Sequence, residues 1–163
     1  MRKLLLLCTL SLLCACSPRD VVEKNIEAHM STHVSEFEIE SAEYSRLYTV
    51  TLKDSKDIPS DLLTDEERMA LLGGHFLGVA EGINRNMFNW VLSNDRLAKK
   101  LGVEAKTYLK VGFFKLRNRD NDVFDAAIGF VIDSVYNVER ALIIDDSKDY
   151  KYIYSRAFDK KQR

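Results

Sequence analysis

The sequence predicts an α+β fold, because segments with helical periodicity are concentrated before residue 103 and strand-like segments predominate after it. Short polar turns separate the later strand-like segments, which is typical of antiparallel neighbours. Helices and antiparallel strands that are segregated in this way pack in separate layers. We therefore expect an N-terminal helix and a long central helix packed on a curved antiparallel sheet, with a C-terminal β-meander.

The first helix is predicted over residues 20–34. Asp20 and Glu23 have the spacing of a capping box, in which two side chains satisfy backbone N–H groups of the first turn. Apolar residues then recur at every fourth position, namely Val22, Ile26, Met30 and Val34. This spacing predicts a helix with one apolar face.

Two strand-like segments follow the first helix. Phe37 and Ile39 alternate with glutamates over residues 35–41, which is the period-two pattern of a half-buried strand. Residues 46–52 are rich in β-branched and aromatic side chains. The two segments predict either a hairpin or one long bent strand.

The clearest helical pattern lies in the middle of the sequence. Thr64 and Glu67 form a second capping box. Beyond it, apolar residues recur at spacings of three and four: Met69, Leu72, Phe76, Val79, Ile83, Met87 and Trp90. This pattern predicts a long helix as far as Trp90. A short helix is then expected from a cap near residues 93–95 to Gly102.

Three glycines, Gly74, Gly78 and Gly82, lie four residues apart within the predicted long helix. Such a stripe lets a helix pack closely on a neighbouring surface, here the sheet. A seam for self-association or for a partner helix is the alternative. Because polar residues such as His75 and Glu81 interrupt the apolar run, this helix is not expected to span a membrane.

Four strand-like segments end the chain, at residues 107–117, 123–135, 139–145 and 150–158. A two-residue turn at Asp120 and Asn121 would pair residues whose numbers sum to 241 across the first hairpin. Gly112 would then face Gly129. Matched glycines predict a bend in the sheet or, alternatively, a shallow slot for a ligand or a partner chain.

Composition excludes several classes of protein. Hydrophobic residues make up 46% of the chain and charged residues 30%, which is typical of a globular domain. With 24 basic and 25 acidic side chains, no field is strong enough to predict nucleic acid or an anionic membrane surface as a partner. All three cysteines, Cys8, Cys14 and Cys16, lie in the first 16 residues, so disulfides are excluded for the rest of the chain.

The first 15 residues have the order of a secretory signal. Arg2 and Lys3 supply a positive region, an apolar run follows over residues 4–13, and small residues come next. This run is far shorter than the roughly 20 residues that a membrane-spanning helix needs. We therefore expect the segment to be cleaved.

Leu13, Cys14, Ala15 and Cys16 resemble the lipobox of bacterial lipoproteins, in which an aliphatic residue, a tolerated second residue and a small residue precede a cysteine. The resemblance covers about 20 of the 163 residues. It implies cleavage before Cys16, whose thiol receives a diacylglyceryl group and whose amino group is acylated. Cys14 departs mildly from the usual second residue. An ordinary signal peptide cut after Ala15, which would leave Cys16 as a thiol, is the alternative.

The resemblance also implies a location. Multiple acyl chains hold a protein firmly at a bilayer, and Ser17 stands where an Asp would imply retention in the inner membrane. The expected organisation is a signal peptide at 1–15, a tether at 16–19 and a single periplasmic α+β domain at 20–163. Acylated Cys16 would anchor this domain to the outer membrane. Because the tether is short, the domain is expected to lie close to the bilayer.

Two groups of polar residues resemble metal ligands in part. His29 and His33 share one face of the first helix and could ligate zinc, but no third ligand is assured. Packed histidines at the boundary of the apolar face are the alternative. Asp120, Asp122 and Asp125 lack the Gly and Glu of a calcium loop, and a hairpin turn accounts for them. The sequence predicts no metal and no cofactor.

Tyrosines alternate in the last strand-like segment. Tyr150, Tyr152 and Tyr154 would share one face of a strand, with Arg156 following. Tyr and Arg are enriched in binding hot spots, so these four residues predict a partner-binding surface. Ordinary half-buried tyrosines in a terminal strand are the alternative.

The sequence contains no G-x-S-x-G, P-loop, G-x-G-x-x-G or H-E-x-x-H motif, and no cysteine follows Cys16. We expect no catalytic residue and no enzymatic activity, with an envelope hydrolase as an alternative. The leading hypothesis is a small outer-membrane lipoprotein that binds another cell-envelope protein, as an accessory or assembly factor of a secretion, pilus or conjugation apparatus. The other hypothesis is an exclusion or immunity lipoprotein that protects against a toxin, phage or plasmid function.

Overall fold

The computed structural model describes residues 18–50, 64–65, 80–102, 104 and 106–159. Three helices lie wholly within these ranges: α1 (Pro18–His33), α2 (Arg85–Leu101) and α3 (Ser147–Ala157). Five strands lie there too: β1 (Glu38–Tyr44), β2 (Tyr48–Thr49), β3 (Thr107–Arg117), β4 (Val123–Asp133) and β5 (Val138–Ile143). The fold is α+β, as the sequence predicts.

The five strands form one antiparallel sheet with the order β1-β3-β4-β5. β2 continues β1 along the same edge of β3, so the two strand-like segments after α1 form one bent strand and not a hairpin. Ser45 lies at the bend. Its N–H donates to the Val111 carbonyl and its Oγ accepts from the Val111 N–H, each at 2.9 Å. The side chain thus satisfies a backbone donor where the strand is interrupted.

The hairpin between β3 and β4 has a three-residue loop and not the predicted two-residue turn. Asn118 donates its N–H to the Asp122 carbonyl at 3.0 Å. Its side-chain oxygen accepts the N–H groups of Asp120 and Asp122. Asn121 has a φ of 66°, in the left-handed region that this loop type requires. Asn enters that region readily because its short polar side chain can hydrogen-bond locally.

The longer loop shifts the register of the hairpin by one residue. Gly112 pairs with Ile128 and not with Gly129, so the predicted glycine pair is wrong. A Cβ at Gly112 would lie 2.6 Å from the Phe114 ring. A Cβ at Gly129 would overlap the side chain of Ile83. Neighbouring side chains fill the space beside each glycine, and neither position opens a slot.

Helices cover both faces of the sheet, whereas the sequence predicts cover on one face. On one face, α1 packs through Val22, Ile26 and Met30. The strand residues it contacts have even numbers: Phe114, Leu116, Phe130 and Ile132. On the other face, α2 and α3 pack against odd-numbered residues of the same strands. Because β3 is buried on both sides, its sequence is almost continuously apolar.

The structure corrects the C-terminal part of the predicted central helix. Gly82 pairs with Ile143 at the edge of β5, and Ile83 donates its N–H to the Ile143 carbonyl at 2.9 Å. Asn84 then caps α2, and its side chain accepts the Met87 N–H at 3.0 Å. Residues 80–84 are therefore not helical, because their backbone groups bond to the sheet.

α2 continues through the residues predicted as a separate short helix. It ends at Gly102, whose φ is 64° and whose N–H donates to the carbonyls of Ala98 and Lys99. The predicted end at Gly102 is confirmed. Gly82 of the glycine stripe lies outside any helix. Residues 66–79, with Gly74 and Gly78, lie outside the described residues.

The structure shows a helix where the sequence predicts a final strand. Asp146 caps α3, and its carboxylate accepts the N–H groups of Lys148 and Asp149 at 2.7 and 3.1 Å. An Asp cap with a second acid in the first turn favours a helix and outweighs the alternation of the tyrosines. The meander therefore ends at β5.

Candidate functional site

The four residues predicted to bind a partner do not form one surface. Tyr150 and Tyr154 lie one turn apart on α3 and stack at 6.2 Å. Both contact the Phe113 ring edge-on, at 5.7 and 5.0 Å. Tyr152 lies on another side of α3 and donates its hydroxyl hydrogen to Asn89 of α2 at 2.6 Å. Two tyrosines therefore pack α3 on the sheet, and the third joins it to α2.

Tyr154 presents more surface than its two neighbours. It is 38% exposed and donates to Glu43 Oε2 of β1 at 3.0 Å. This hydrogen bond raises the pKa of Tyr154, whereas burial raises the pKa of Tyr150. Arg156 lies apart from the tyrosines, in the wall of a cavity. The four residues expected to share one face of a strand therefore lie in three environments: beside Phe113, beside Asn89 and in the cavity wall.

The predicted ligand groups lie on α1 and at the β3–β4 hairpin. His29 and His33 stack at 4.1 Å, and His33 Nδ1 hydrogen-bonds the His29 carbonyl at 2.9 Å. Burial, and then the charge of His33, lower the pKa of His29. Asp120 and Asp122 lie in the hairpin loop and Asp125 in β4. In the part of the chain that the structure describes, no three His, Cys, Asp or Glu side chains are grouped to hold a metal ion.

On the face of the sheet that α1 covers, three apolar side chains are exposed at the end nearest the β3–β4 loop. Phe37, Ile39 and Phe124 are 36–40% exposed, and we call them the distal patch. The Phe37 and Phe124 rings meet edge-on at 5.5 Å. Ile39 and Phe124 flank Leu116 in register on the face of the sheet that α1 covers. Because α1 ends at His33, these side chains extend beyond it.

The period-two pattern of residues 35–41 predicts a half-buried strand, and this prediction of burial is wrong. β1 forms one edge of the sheet and is exposed along most of its length. A β-bulge shifts the register between Ile39 and Ser41 and leaves Glu40 as the extra residue. Bulges and charged side chains on an edge strand hinder pairing with another strand.

The segments that carry the distal patch are acidic. Residues 36–40 and 115–125 together carry six carboxylates and three cations, a formal charge of −3. The carboxylates belong to Glu36, Glu38, Glu40, Asp120, Asp122 and Asp125. Two of the three cations are already paired, Arg117 with Glu40 and Arg119 with Glu36. The segments that carry the patch are therefore negative, although Asp125 lies on the opposite face of the sheet, beside Tyr150.

A cavity of about 520 Å³ lies at the opposite end of α1. Its wall contains four cationic side chains from four parts of the fold: Arg19 of α1, Arg46 between β1 and β2, Lys110 of β3 and Arg156 of α3. Val22, Leu47 and Phe158 add apolar surface to the wall, and Asp159 adds one carboxylate. We call this the cationic cavity.

Lys110 is a charged residue in the middle of an apolar strand. It is 1% exposed, and its Nζ lies 2.9 Å from Glu23 Oε1. Glu23 also accepts from Arg19 Nε at 3.0 Å, so two cations share one carboxylate. Burial lowers the pKa of Lys110 and outweighs the opposing effect of Glu23. Burial alone would raise the pKa of Glu23, but the hydrogen bonds from Lys110 and Arg19 lower it.

A second buried carboxylate is shared in the same way. Asp95 of α2 is 1% exposed, and its Oδ2 lies 2.7 Å from Arg46 Nη2 and 3.0 Å from Lys99 Nζ. Its Oδ1 accepts the Thr49 N–H at 2.9 Å. These contacts tie β2 and the β1–β2 link to α2. Arg46 and Arg156 also line a second cavity of about 520 Å³ beside the first.

The cationic cavity is not apparent from the sequence. Its cations lie in four separate elements, and their shared carboxylates, Glu23 and Asp95, lie on two different helices. Lys110 is the one residue whose position in the sequence indicates a buried charged site. A lysine inside a continuously apolar strand must find a partner when the strand is buried. The identity of that partner depends on which helix covers the strand.

The distal patch and the cationic cavity lie at opposite ends of α1. With 16 residues, α1 is about 24 Å long. Arg19 in its first turn lines the cavity, and the chain that leaves its last turn leads to Phe37. The protein therefore has a positive region and a negative, partly apolar region separated by the length of this helix.

Comparison of the chain with protein-family models, with curated proteins and with solved structures finds no match. Within the described ranges, no helix combines the length and the apolar character needed to cross a bilayer.

Proposed function

We propose that this protein is an outer-membrane lipoprotein whose periplasmic domain binds another cell-envelope protein, as an accessory or assembly factor of an envelope apparatus. The observation that carries the proposal is the distal patch, in which Phe37 and Phe124 meet beside Ile39 at the end of the sheet that α1 leaves exposed. Exposed apolar side chains that lie together mark interaction sites. Aromatic residues in such a group are common hot spots.

The surroundings of the patch determine the chemistry of the partner. Because the charge around the patch is negative, the partner presents apolar side chains flanked by Lys or Arg. The bulge and the glutamates of β1 oppose the addition of a strand at this edge. The partner therefore contacts the face of the sheet and does not extend it.

Anchoring at Cys16 gives the patch a suitable position. α1 begins at Pro18, so its N-terminal end lies next to the acylated residue. The distal patch follows the other end of α1, about 24 Å away along the helix. A partner can reach the patch without entering the space next to the bilayer.

A photocrosslinking amino acid at Ile39 tests the binding proposal in intact cells. A defined adduct with one envelope protein is expected, and the purified partner should bind the unsubstituted chain. Phe124→Ser should weaken this binding at least tenfold, since it removes an aromatic anchor of the patch. Higher salt should also weaken it, because the charges around the patch are exposed.

Val135→Ser is the matched control, because Val135 is an apolar residue with 68% exposure away from the patch. It should leave both the adduct and the affinity unchanged. Equal binding by Phe124→Ser and the unsubstituted chain, at equal stability in urea, would overturn the proposal.

Metabolic labelling with a fatty acid tests the anchor. Cys16→Ser should lose the label completely, because that thiol is the proposed attachment point. Cys14→Ser is the matched control and should keep the label, since Cys14 lies in the cleaved segment. Label that persists in Cys16→Ser would contradict the lipoprotein assignment without affecting the patch.

The identity of the crosslinked partner separates two roles for the same surface. A resident component of a secretion, pilus or conjugation apparatus supports an assembly role. An incoming toxin, phage or plasmid protein supports an exclusion or immunity role. Deletion of the gene should correspondingly reduce assembly in the first case and resistance in the second.

A further inference from the structure

We propose that the cationic cavity binds a phosphate-bearing anion. The cavity is large enough for a phosphate group with an attached headgroup, at about 520 Å³. Its four cations approach from α1, from the β1–β2 link, from β3 and from α3. Cations that approach a cavity from several directions suit a phosphate, whose oxygens point in several directions. A planar carboxylate, in contrast, is bound by one guanidinium group from one side.

The charges beside the cavity do not cancel. Arg19 and Lys110 share Glu23, and Arg46 and Lys99 share Asp95. Two carboxylates therefore serve these four cations. With Arg156 and Asp159, which also line the cavity, five cations stand against three carboxylates, an excess of two positive charges. This excess is sufficient for a phosphate monoester, which carries close to two negative charges near neutral pH, and for a phosphodiester, which carries one. Such a ligand would relieve the repulsion between the clustered cations.

The structure also holds two of these cations in place before any ligand arrives. Lys110 is fixed by its strand and by Glu23, and Arg46 is fixed by Asp95, which also accepts the Thr49 N–H. A preformed arrangement loses little side-chain entropy on binding. Val22, Leu47 and Phe158 in the same wall suit a ligand that carries apolar groups beside its phosphate.

In an anchored protein, the nearest phosphates belong to the bilayer. Arg19 is three residues from Cys16, a span of roughly 10 Å when fully extended. The headgroup of an acidic phospholipid is therefore the expected source. This choice of source rests on the proposed anchoring, whereas the site itself does not.

Vesicle binding by the full chain with Cys16→Ser tests the proposal without an acyl chain. Vesicles of phosphatidylcholine with about one-third phosphatidylglycerol should bind at least fivefold more protein than pure phosphatidylcholine. Arg19→Gln should reduce this binding at least fivefold. Its side chain is 71% exposed, so the fold should tolerate the change. Arg156→Gln tests the far wall of the cavity and should have the same effect.

Arg119→Gln is the matched control, because it removes the same charge from an exposed side chain near the distal patch. It should change vesicle binding less than twofold. An equal loss in all three variants means attraction by net charge alone and overturns the site. No loss in either cavity variant, at unchanged stability in urea, overturns it as well.

Calorimetric titration with glycerol phosphate distinguishes the sources of the phosphate. Binding that needs Arg19 and Arg156 but shows no preference for acidic vesicles supports the site and assigns it a soluble ligand. A vesicle preference together with weak competition by glycerol phosphate supports a lipid headgroup. Because Cys16→Ser is used throughout, neither result depends on whether the native chain is acylated.

Discussion

Asp95 shows how a single side chain organises the region between β2 and α2. Its carboxylate is buried, yet it accepts a hydrogen bond from the Thr49 N–H and contacts two cations. Burial alone would raise the pKa of Asp95, but the contacts with Arg46, the Thr49 N–H and Lys99 outweigh it and lower that pKa. The ionised carboxylate is therefore part of the folded structure.

Asp95→Asn should lower the free energy of unfolding by about 2 kcal/mol at pH 7, because hydrogen bonds to a buried charge are lost. A carboxylate whose pKa is lowered on folding stabilises the protein above its ordinary pKa of 3.8. That stability is lost as the pH falls through the folded-state pKa. The difference in free energy of unfolding between the unsubstituted chain and Asp95→Asn should therefore decrease below about pH 4. Urea unfolding at a series of pH values measures this difference.

Asp120→Asn is the control, since it removes the same charge from the exposed β3–β4 loop. It should have no comparable effect at pH 7. A constant gap between Asp95→Asn and the unsubstituted chain from pH 7 to pH 3 would contradict the assigned role of the carboxylate.

At the scale of elements, caps and loops decide where helices and strands begin and end. Asn84 begins α2 after the backbone of Gly82 and Ile83 has bonded to β5. Asp146 begins α3 within a segment whose tyrosines alternate as in a strand. Asn121 sets the β3–β4 register by adopting a positive φ. Each of these residues changes the structure of a whole neighbouring segment.

Asn84→Ala should lower the free energy of unfolding by about 1 kcal/mol, because the Met87 N–H loses its acceptor. Urea unfolding followed by far-UV circular dichroism measures the change. Asn86 is an exposed residue in the first turn of the same helix, and Asn86→Ala should change the free energy of unfolding by less than about 0.5 kcal/mol. Equal losses in the two variants would mean that Asn84 does not act as the cap.

At the scale of the whole molecule, one sheet connects two hydrophobic clusters. Ile26 and Met30 belong to the cluster beneath α1, and Phe88 and Ile153 belong to the cluster beneath α2 and α3. β3 and β4 contribute alternate side chains to both clusters. Because the two clusters share these strands, we expect them to unfold together.

Ile26→Ala should lower the free energy of unfolding by about 3 kcal/mol, since Ile26 is completely buried. Trp90 is the single tryptophan of the chain and packs against the cluster on the opposite face. Its fluorescence and the far-UV circular dichroism should report the same lowered urea midpoint. Val135→Ala, at an exposed position, should stay within about 0.5 kcal/mol. A fluorescence midpoint that does not move would mean that the two faces unfold independently.

The sequence by itself determined the features that local patterns encode. The periodicity of Val22, Ile26 and Met30 predicted α1, and Gly102 predicted the end of α2. The apolar run of β3 predicted a strand and the α+β class. These predictions succeeded because each depends on residues within one or two turns or within one strand. The resemblance at Cys16 is also local, and it stays a prediction.

Only the tertiary structure decided the rest, because the competing states differ in contacts between distant residues. Gly82 leaves the helical pattern to bond with β5, and a three-residue loop replaces the two-residue turn. The distal patch exists because α1 stops short of the end of the sheet. The cationic cavity exists because Glu23 and Asp95, on separate helices, each hold two cations. No local pattern specifies those pairs, since each arises from the way the helices cover the two faces of the sheet.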